Sequence, residues 1–174
     1  MENLQNYVAE RKASEAAKEK KAAKKEKAAK EIESLTVKVA SSSKAIKVTK
    51  AEVAMLERIV EAEAGGEDTV GKILVANVIF NRIVNKEFPN SVEGVIFQKS
   101  QGKYQFSPVK NGRYWSVKVS DETEKAVERA LSGEDYSEGA LYFVARKKTT
   151  SSNIKWFDNN LDRLFKHGGH EFYR

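Results

Sequence analysis

The chain has 174 residues with 31 Lys+Arg against 25 Asp+Glu, two histidines and no cysteine, a length for one ordinary domain or a smaller domain with an appendage. Without cysteine there is no disulfide framework, thiolate metal site or thiol nucleophile; two histidines cannot build a His-rich cage, and no metal or other cofactor is expected. No apolar run approaches the roughly 20 residues of a membrane span, and no apolar h-region follows the N-terminal basic residues, so neither a span nor a standard secretory signal is expected.

The charge is unevenly placed. Residues 1–50 hold 13 Lys+Arg and 7 Asp+Glu, the whole excess of +6, while residues 51–174 hold 18 of each. The balanced part also contains every glycine, proline, tryptophan and phenylalanine. From Ala9 to Glu33 the chain is almost entirely Ala, Lys and Glu, all strong helix formers. No apolar heptad joins Leu4, Tyr7 and Val8 to Ile32 and Leu35, so a coiled coil is not expected. This basic helical tail reads either as a solvated spacer or as an electrostatic anchor to an anionic surface or an accessory protein. A nucleic-acid partner is disfavoured, because the tail lacks interleaved aromatics and the rest of the chain is neutral. Ser41–Lys50 reads as a linker. The expected division is therefore a tail and linker over 1–48 and a catalytic-sized domain over 49–174.

Thr49 and Glu52 form a capping-box pattern that opens a helix, which Gly65-Gly66 ends. Val53, Leu56, Ile59 and Val60 draw one apolar stripe along it. Glu63 continues that stripe, whereas Glu57 and Glu61 share another face and read as solvated. A carboxylate on an apolar stripe loses hydration, which raises its pKa. Its place in the last helical turn, at the negative end of the macrodipole, acts in the same sense. Glu63 is thus either a general acid or a structural glutamate paired with an arginine or capping a loop.

Thr69 to Val84 is apolar nearly all round, the pattern of a buried helix. Its Asn77 and Asn81 form a polar spot that must be hydrogen-bonded; the expected role is to hold a neighbouring loop such as the Gly65-Gly66 turn, with direct substrate contact as the alternative. Ser91 caps a short helix to Gln98. Lys99–Trp115 reads as a loop rich in aromatics and amides, including Gln105 and Phe106, suited to stacking on sugars or to packing beneath the loop. Asp121 and Glu124 open a helix to Leu131. Gly139–Ala145 reads as a strand containing Tyr142, followed by a loop with Trp156 and a short amphipathic segment (Leu161, Leu164, Phe165). His170–Tyr173 closes the chain as a last strand. The class is α+β, mainly helical with a few short strands.

Several blocks together resemble the cell-wall hydrolases that open the spore cortex during germination, the SleB/CwlJ type. They are Arg58-Ile-Val-Glu-Ala-Glu-Ala-Gly-Gly-Glu67, Asn77 with Asn81-Arg82, Phe88-Pro-Asn90, Val95-Ile-Phe-Gln98, Gln105-Phe-Ser-Pro108, Ala140-Leu-Tyr-Phe143, Trp156 and His170-Glu-Phe-Tyr173. The resemblance runs from about Ala51 to Tyr173 and does not include the tail. It implies a small lysozyme- or transglycosylase-like catalytic domain acting on peptidoglycan glycan strands at the MurNAc-GlcNAc β-1,4 bond. The family's essential glutamate, in its Glu-Ala-x-Gly-Glu block, falls on Glu63. Where many relatives have arginine inside that block this chain has Gly65, so no role of that arginine carries over.

Glycosidases normally use two carboxylates, and none shares the Glu63 stripe; Glu67 and Asp68 lie just beyond the turn. A lytic transglycosylase needs one glutamate, with the muramic acid C6 hydroxyl as nucleophile, and is the favoured reading over a muramidase. Gln105, Phe106, Tyr142, Trp156 and His170 are the expected substrate-binding residues. The alternatives are an N-acetylmuramoyl-L-alanine amidase, for which zinc ligands are scarce, and a non-catalytic wall- or polyanion-binding protein. Cell wall, spore cortex or coat, and a phage lysis setting all fit a chain of this kind.

Overall fold

The computed structural model describes residues 34–174; the expected basic helical tail lies outside the described residues. The first element is a hairpin. Strand β1 (Ser34–Lys38) pairs antiparallel with β2 (Ala45–Thr49), placing Val37 opposite Ile46 and Leu35 opposite Val48. Both strands alternate apolar and polar residues, the period that gives a sheet one buried face. Val37, Val39, Ile46 and Val48 are all buried in the main core. The linker expected at Ser41–Lys50 is therefore the turn and second strand of this hairpin, and residues from Ser34 onward, before the expected boundary at Thr49, belong to the described fold. The serine run is the turn, closed by Ser42 N–H donating to Val39 O at 3.0 Å.

Helix α1 (Lys50–Ala64) starts as its sequence dictates. Thr49 Oγ1 accepts from Glu52 N at 3.2 Å, and Glu52 returns the contact by accepting from Thr49 N at 3.0 Å. The other Glu52 oxygen accepts from Val92 N at 3.1 Å, tying α1 to the short helix α3 (Val92–Ile96). Leu56, Ile59 and Val60 are fully buried, as their stripe predicts. Helix α2 (Thr69–Val84) is capped by Asp68 and buried without a break from Gly71 to Ile83. It packs against both α1 and α6 (Asp121–Leu131). The cap of α6 is Ser120, one residue before the expected Asp121.

Asn77 and Asn81 are buried and paired, though not with the Gly65-Gly66 turn. Asn77 donates to Glu134 O at 2.9 Å and accepts from Tyr136 N at 3.3 Å. Asn81 donates to Ser137 Oγ and Ala140 O at 2.8 and 2.9 Å. Ser41 of the hairpin turn donates to Asn81 Oδ1. The two amides thus fix the 134–140 loop that leads into the C-terminal sheet.

The segment expected as one loop after Gln98 is more regular than its composition implies. It contains the small hairpin β3 (Lys99–Ser100) and β4 (Lys103–Tyr104), then the single-turn helices α4 (Ser107–Lys110) and α5 (Arg113–Ser116). The C-terminal sheet has the order β5-β7-β6, with β5 at Tyr142–Val144, β6 at Arg163–His167 and β7 at His170–Tyr173. Helix α7 (Ser151–Asn160) carries Trp156, which was expected on a loop. Leu164 and Phe165 of the expected short amphipathic segment belong to β6 and pack with Phe172. The fold is α+β, mainly helical with short strands.

Candidate active site

Glu63 sits on the last turn of α1, at the inner wall of a cleft of about 320 Å³. Arg82 of α2, Gln105 and Phe106 before α4, Arg113 of α5, Phe143 of β5, Lys148 and His170 of β7 complete the wall. Glu63 is half-buried and lines the cleft. Burial pushes its pKa up to about 7, against the opposing pull of the Arg113, Arg82 and Lys148 charges. A carboxyl group with a raised pKa, facing a cavity, marks a candidate functional site. A larger cavity of about 840 Å³ lies between the β1–β2 turn and the 135–141 loop. None of the sequence-predicted site residues lines it, so the smaller cleft is the candidate site.

The other glutamates of α1 behave differently. Glu61, expected to be solvated, accepts from Thr123 Oγ1 at 2.6 Å, Ser120 Oγ at 2.8 Å and Ser120 N at 3.1 Å. Burial acts to raise its pKa, but these hydrogen bonds outweigh it and hold the carboxyl below its ordinary value. Glu61 is thus an ionised anchor at the start of α6, where a negative charge suits the helix dipole. Glu57, also expected to be solvated, is half-buried, and burial followed by the nearby Glu124 charge raises its pKa.

The two carboxylates beyond the turn are already committed. Glu67 accepts from Gly169 N at 3.1 and 3.2 Å. A Cβ on Gly169 would stand 2.7 Å from Glu67 Oε1, so a side chain there would displace the Glu67 carboxylate from this contact. Asp68 accepts from Gly71 N at 2.8 Å as the cap of α2 and lies 2.7 Å from His167 Nε2. Neither Glu67 nor Asp68 lines the cleft, which leaves Glu63 as its one carboxylate among the described residues.

Of the expected substrate-binding residues, Gln105, Phe106 and His170 line the cleft with Glu63. Tyr142 and Trp156 stand off its wall. Tyr142 lies 5.3 Å from the Arg82 guanidinium, and Trp156 meets the Tyr142 ring edge-on at 6.4 Å. Trp156 is 49% exposed, an open ring beside the site. His170 is buried; its Nδ1 has no hydrogen-bond partner and lies 3.9 Å from Glu67 Oε1. Burial lowers its pKa although Glu67 opposes the shift, so the ring is neutral at pH 7.

Arg82, Arg113 and Lys148 are the charged cleft residues that sequence reasoning did not single out. Arg82 had a visible signal, an arginine inside an otherwise apolar helix. Arg113 and Lys148 had none, since they meet Glu63 only through the folding of segments far apart in the chain. Arg82 is 5% exposed, packed between Phe88, Phe106 and Tyr142, with Nε donating to Leu141 O at 2.7 Å. Burial pushes its pKa down to about 10, with Tyr142 and Glu63 opposing, so it stays cationic at neutral pH. No three His, Cys, Asp or Glu side chains converge as a metal-ligand set among the described residues, and none of their helices is long and apolar enough to cross a membrane.

The chain is similar in sequence and fold to known proteins. The cell wall hydrolase family matches residues 66–173. A spore cortex-lytic enzyme of Halalkalibacterium halodurans is 37% identical over 117 residues, 67% of this chain and 33% of its own length. The chain thus spans about a third of the length of that relative; for the similar enzyme of Bacillus subtilis the share is 36%. Among solved structures, the catalytic domain of the germination-specific lytic transglycosylase SleB from Bacillus anthracis superposes with a TM-score of 0.61 at 30% identity, covering 72% of this chain and 95% of that domain. The SleB catalytic domain of Bacillus cereus gives 0.60 at 31% identity, covering 73% and 92%.

Proposed function

The chain belongs to the cell wall hydrolase family, and from that membership we propose that it cleaves peptidoglycan glycan strands as a lytic transglycosylase, with Glu63 as its acid and base. The observation that carries the reading is the one cleft carboxyl among the described residues, whose pKa is raised to about 7. The matched family span begins just after Glu63, so the assignment of that residue rests on the cleft geometry.

Protonated Glu63 gives its proton to the glycosidic oxygen as the bond from muramic C1 breaks. The C6 hydroxyl of the same muramic residue attacks C1 and closes a 1,6-anhydro ring. The Glu63 carboxylate then takes the proton released by that hydroxyl, which returns the enzyme to its starting state. One carboxyl suffices for both transfers, because the nucleophile is part of the substrate. Surrounding cations favour the carboxylate formed midway, and burial favours the acid that begins the cycle. Gln105, Phe106 and His170 position the sugar in the cleft, and Tyr142 with exposed Trp156 extends an aromatic surface beside it.

The test is digestion of purified peptidoglycan by the wild-type chain and by Glu63→Gln, with mass spectrometry of the soluble fragments. The proposal expects glycan fragments from the wild type and almost none from the variant. Equal release by both would remove Glu63 from the reaction, and fragments cut between muramic acid and L-alanine would identify an amidase.

A further inference from the structure

The charge in the cleft exceeds what a neutral sugar requires. Arg82, Arg113 and Lys148 line the same cleft of about 320 Å³ as the one carboxyl, Glu63. No ion pair among the described residues uses Arg113, Lys148 or Arg82. Arg82 is also a built-in element rather than a loose surface charge. It is 5% exposed, its guanidinium stands 5.0–5.3 Å from three ring centroids, and its buried Nη1 has no hydrogen-bond partner. A buried guanidinium with an unused donor is costly unless an anion or acceptor meets it.

We propose that the cleft takes a carboxylate of its substrate, held by Arg82, Arg113 and Lys148 beside Glu63. This rests on the lytic reading above and adds a specificity to it. Peptidoglycan offers carboxylates of two sources, the lactyl group of muramic acid and the peptide stem attached to it. Either would fit planar guanidinium groups, which recognise carboxylates by paired hydrogen bonds. Arg113, Arg82 and Lys148 are also the charges that hold the Glu63 pKa down against burial. A docked carboxylate offsets them, so substrate binding itself raises the proton affinity of Glu63. By reciprocity, protonation of Glu63 strengthens binding of the carboxylate.

The experiment uses the full chain carrying Glu63→Gln, so that ligands bind without being cut. Calorimetry compares neutral chitotetraose, a GlcNAc-MurNAc tetrasaccharide with free lactyl carboxylates, and the same tetrasaccharide bearing stem peptides. The expected result is at least roughly ten-fold tighter binding of one or both carboxylate forms over chitotetraose. That gap should narrow with added salt and close when Arg113→Gln and Lys148→Gln are added. Both residues are exposed, so these changes leave the fold in place. A preference for the free lactyl form or for the peptide form supports the proposal and identifies the source. Equal binding of all three ligands, or a gap that survives the double substitution, overturns it. Wild-type digestion of sacculi, run in parallel, separates the two claims. If sacculi stay intact while the carboxylate preference holds, the lytic reading fails and the anion site stands.

Discussion

Glu63→Gln should make the protein more stable and less active at the same time, and the size of the effect follows from the burial of one carboxyl. In the unfolded chain Glu63 titrates near 4.5, and in the folded chain near 7. Below the lower value both states carry the proton and burial has no electrostatic cost. As pH rises between the two values the unfolded chain releases its proton and the folded chain does not, so stability falls. Above the upper value the folded protein carries a desolvated carboxylate at a cost of about 3 kcal/mol. Glutamine keeps the shape and stays neutral, so the variant avoids that cost. Thermal melts at pH 4 should therefore coincide for the two proteins, while at pH 8 the variant should melt higher by on the order of 10 °C. Cleavage of sacculi should fall by roughly 10²–10⁴, the usual contribution of a general acid. A variant that melts lower than wild type at pH 8 would refute the reasoning. It would mean that Arg82, Arg113 and Lys148 stabilise the carboxylate by more than burial penalises it.

Arg113→Gln removes a charge that lowers the Glu63 pKa, so the alkaline limb of the pH–rate profile should move upward, and an unmoved or lowered limb would contradict this. Glu61→Ala leaves Ser120 and Thr123 without their acceptor and should cost about 1–3 kcal/mol in urea unfolding at pH 7. Because the Glu61 pKa is depressed, its contribution is present above its ordinary value and fades as pH falls through the lowered one; a pH-independent difference would contradict that account. Removing residues 1–33 should leave a folded domain by circular dichroism. Removing residues 1–48 should not, since it strips buried Val37, Val39, Ile46 and Val48 from the core, each worth roughly 1.5–3 kcal/mol.

The start of α1 and the burial of Glu63 were legible because both signals are local. A capping box fixes the helix start, and the stripe then assigns Glu63 to the buried side. The β1–β2 hairpin was missed for the opposite reason. Val37, Val39, Ile46 and Val48 alternate clearly, but three serines and four lysines around them resemble a linker until the helices supply a surface to bury against. Lys38, Lys44, Lys47 and Lys50 consequently belong to the described unit, where residues 34–174 hold 22 Lys+Arg and 18 Asp+Glu. That moves most of the basic excess off the proposed tail anchor. Helix α7 was obscured by its own composition: Ser, Asn and Asp dominate it, and these favour turns over helix interiors. The Glu61 contacts and the convergence of Arg113 and Lys148 on Glu63 involve residues about 50 or more apart in sequence, beyond any local pattern.

The central claim is that one carboxyl works with a nucleophile supplied by the substrate, and heavy-oxygen water tests it most directly. Purified peptidoglycan is digested in that water and the new glycan ends are analysed by mass spectrometry. The account predicts 1,6-anhydromuramic ends that carry no heavy oxygen, from the wild type and not from Glu63→Gln. Reducing muramic ends that carry one heavy oxygen each would contradict it, since water would then be the nucleophile and a second catalytic group would be needed beside Glu63.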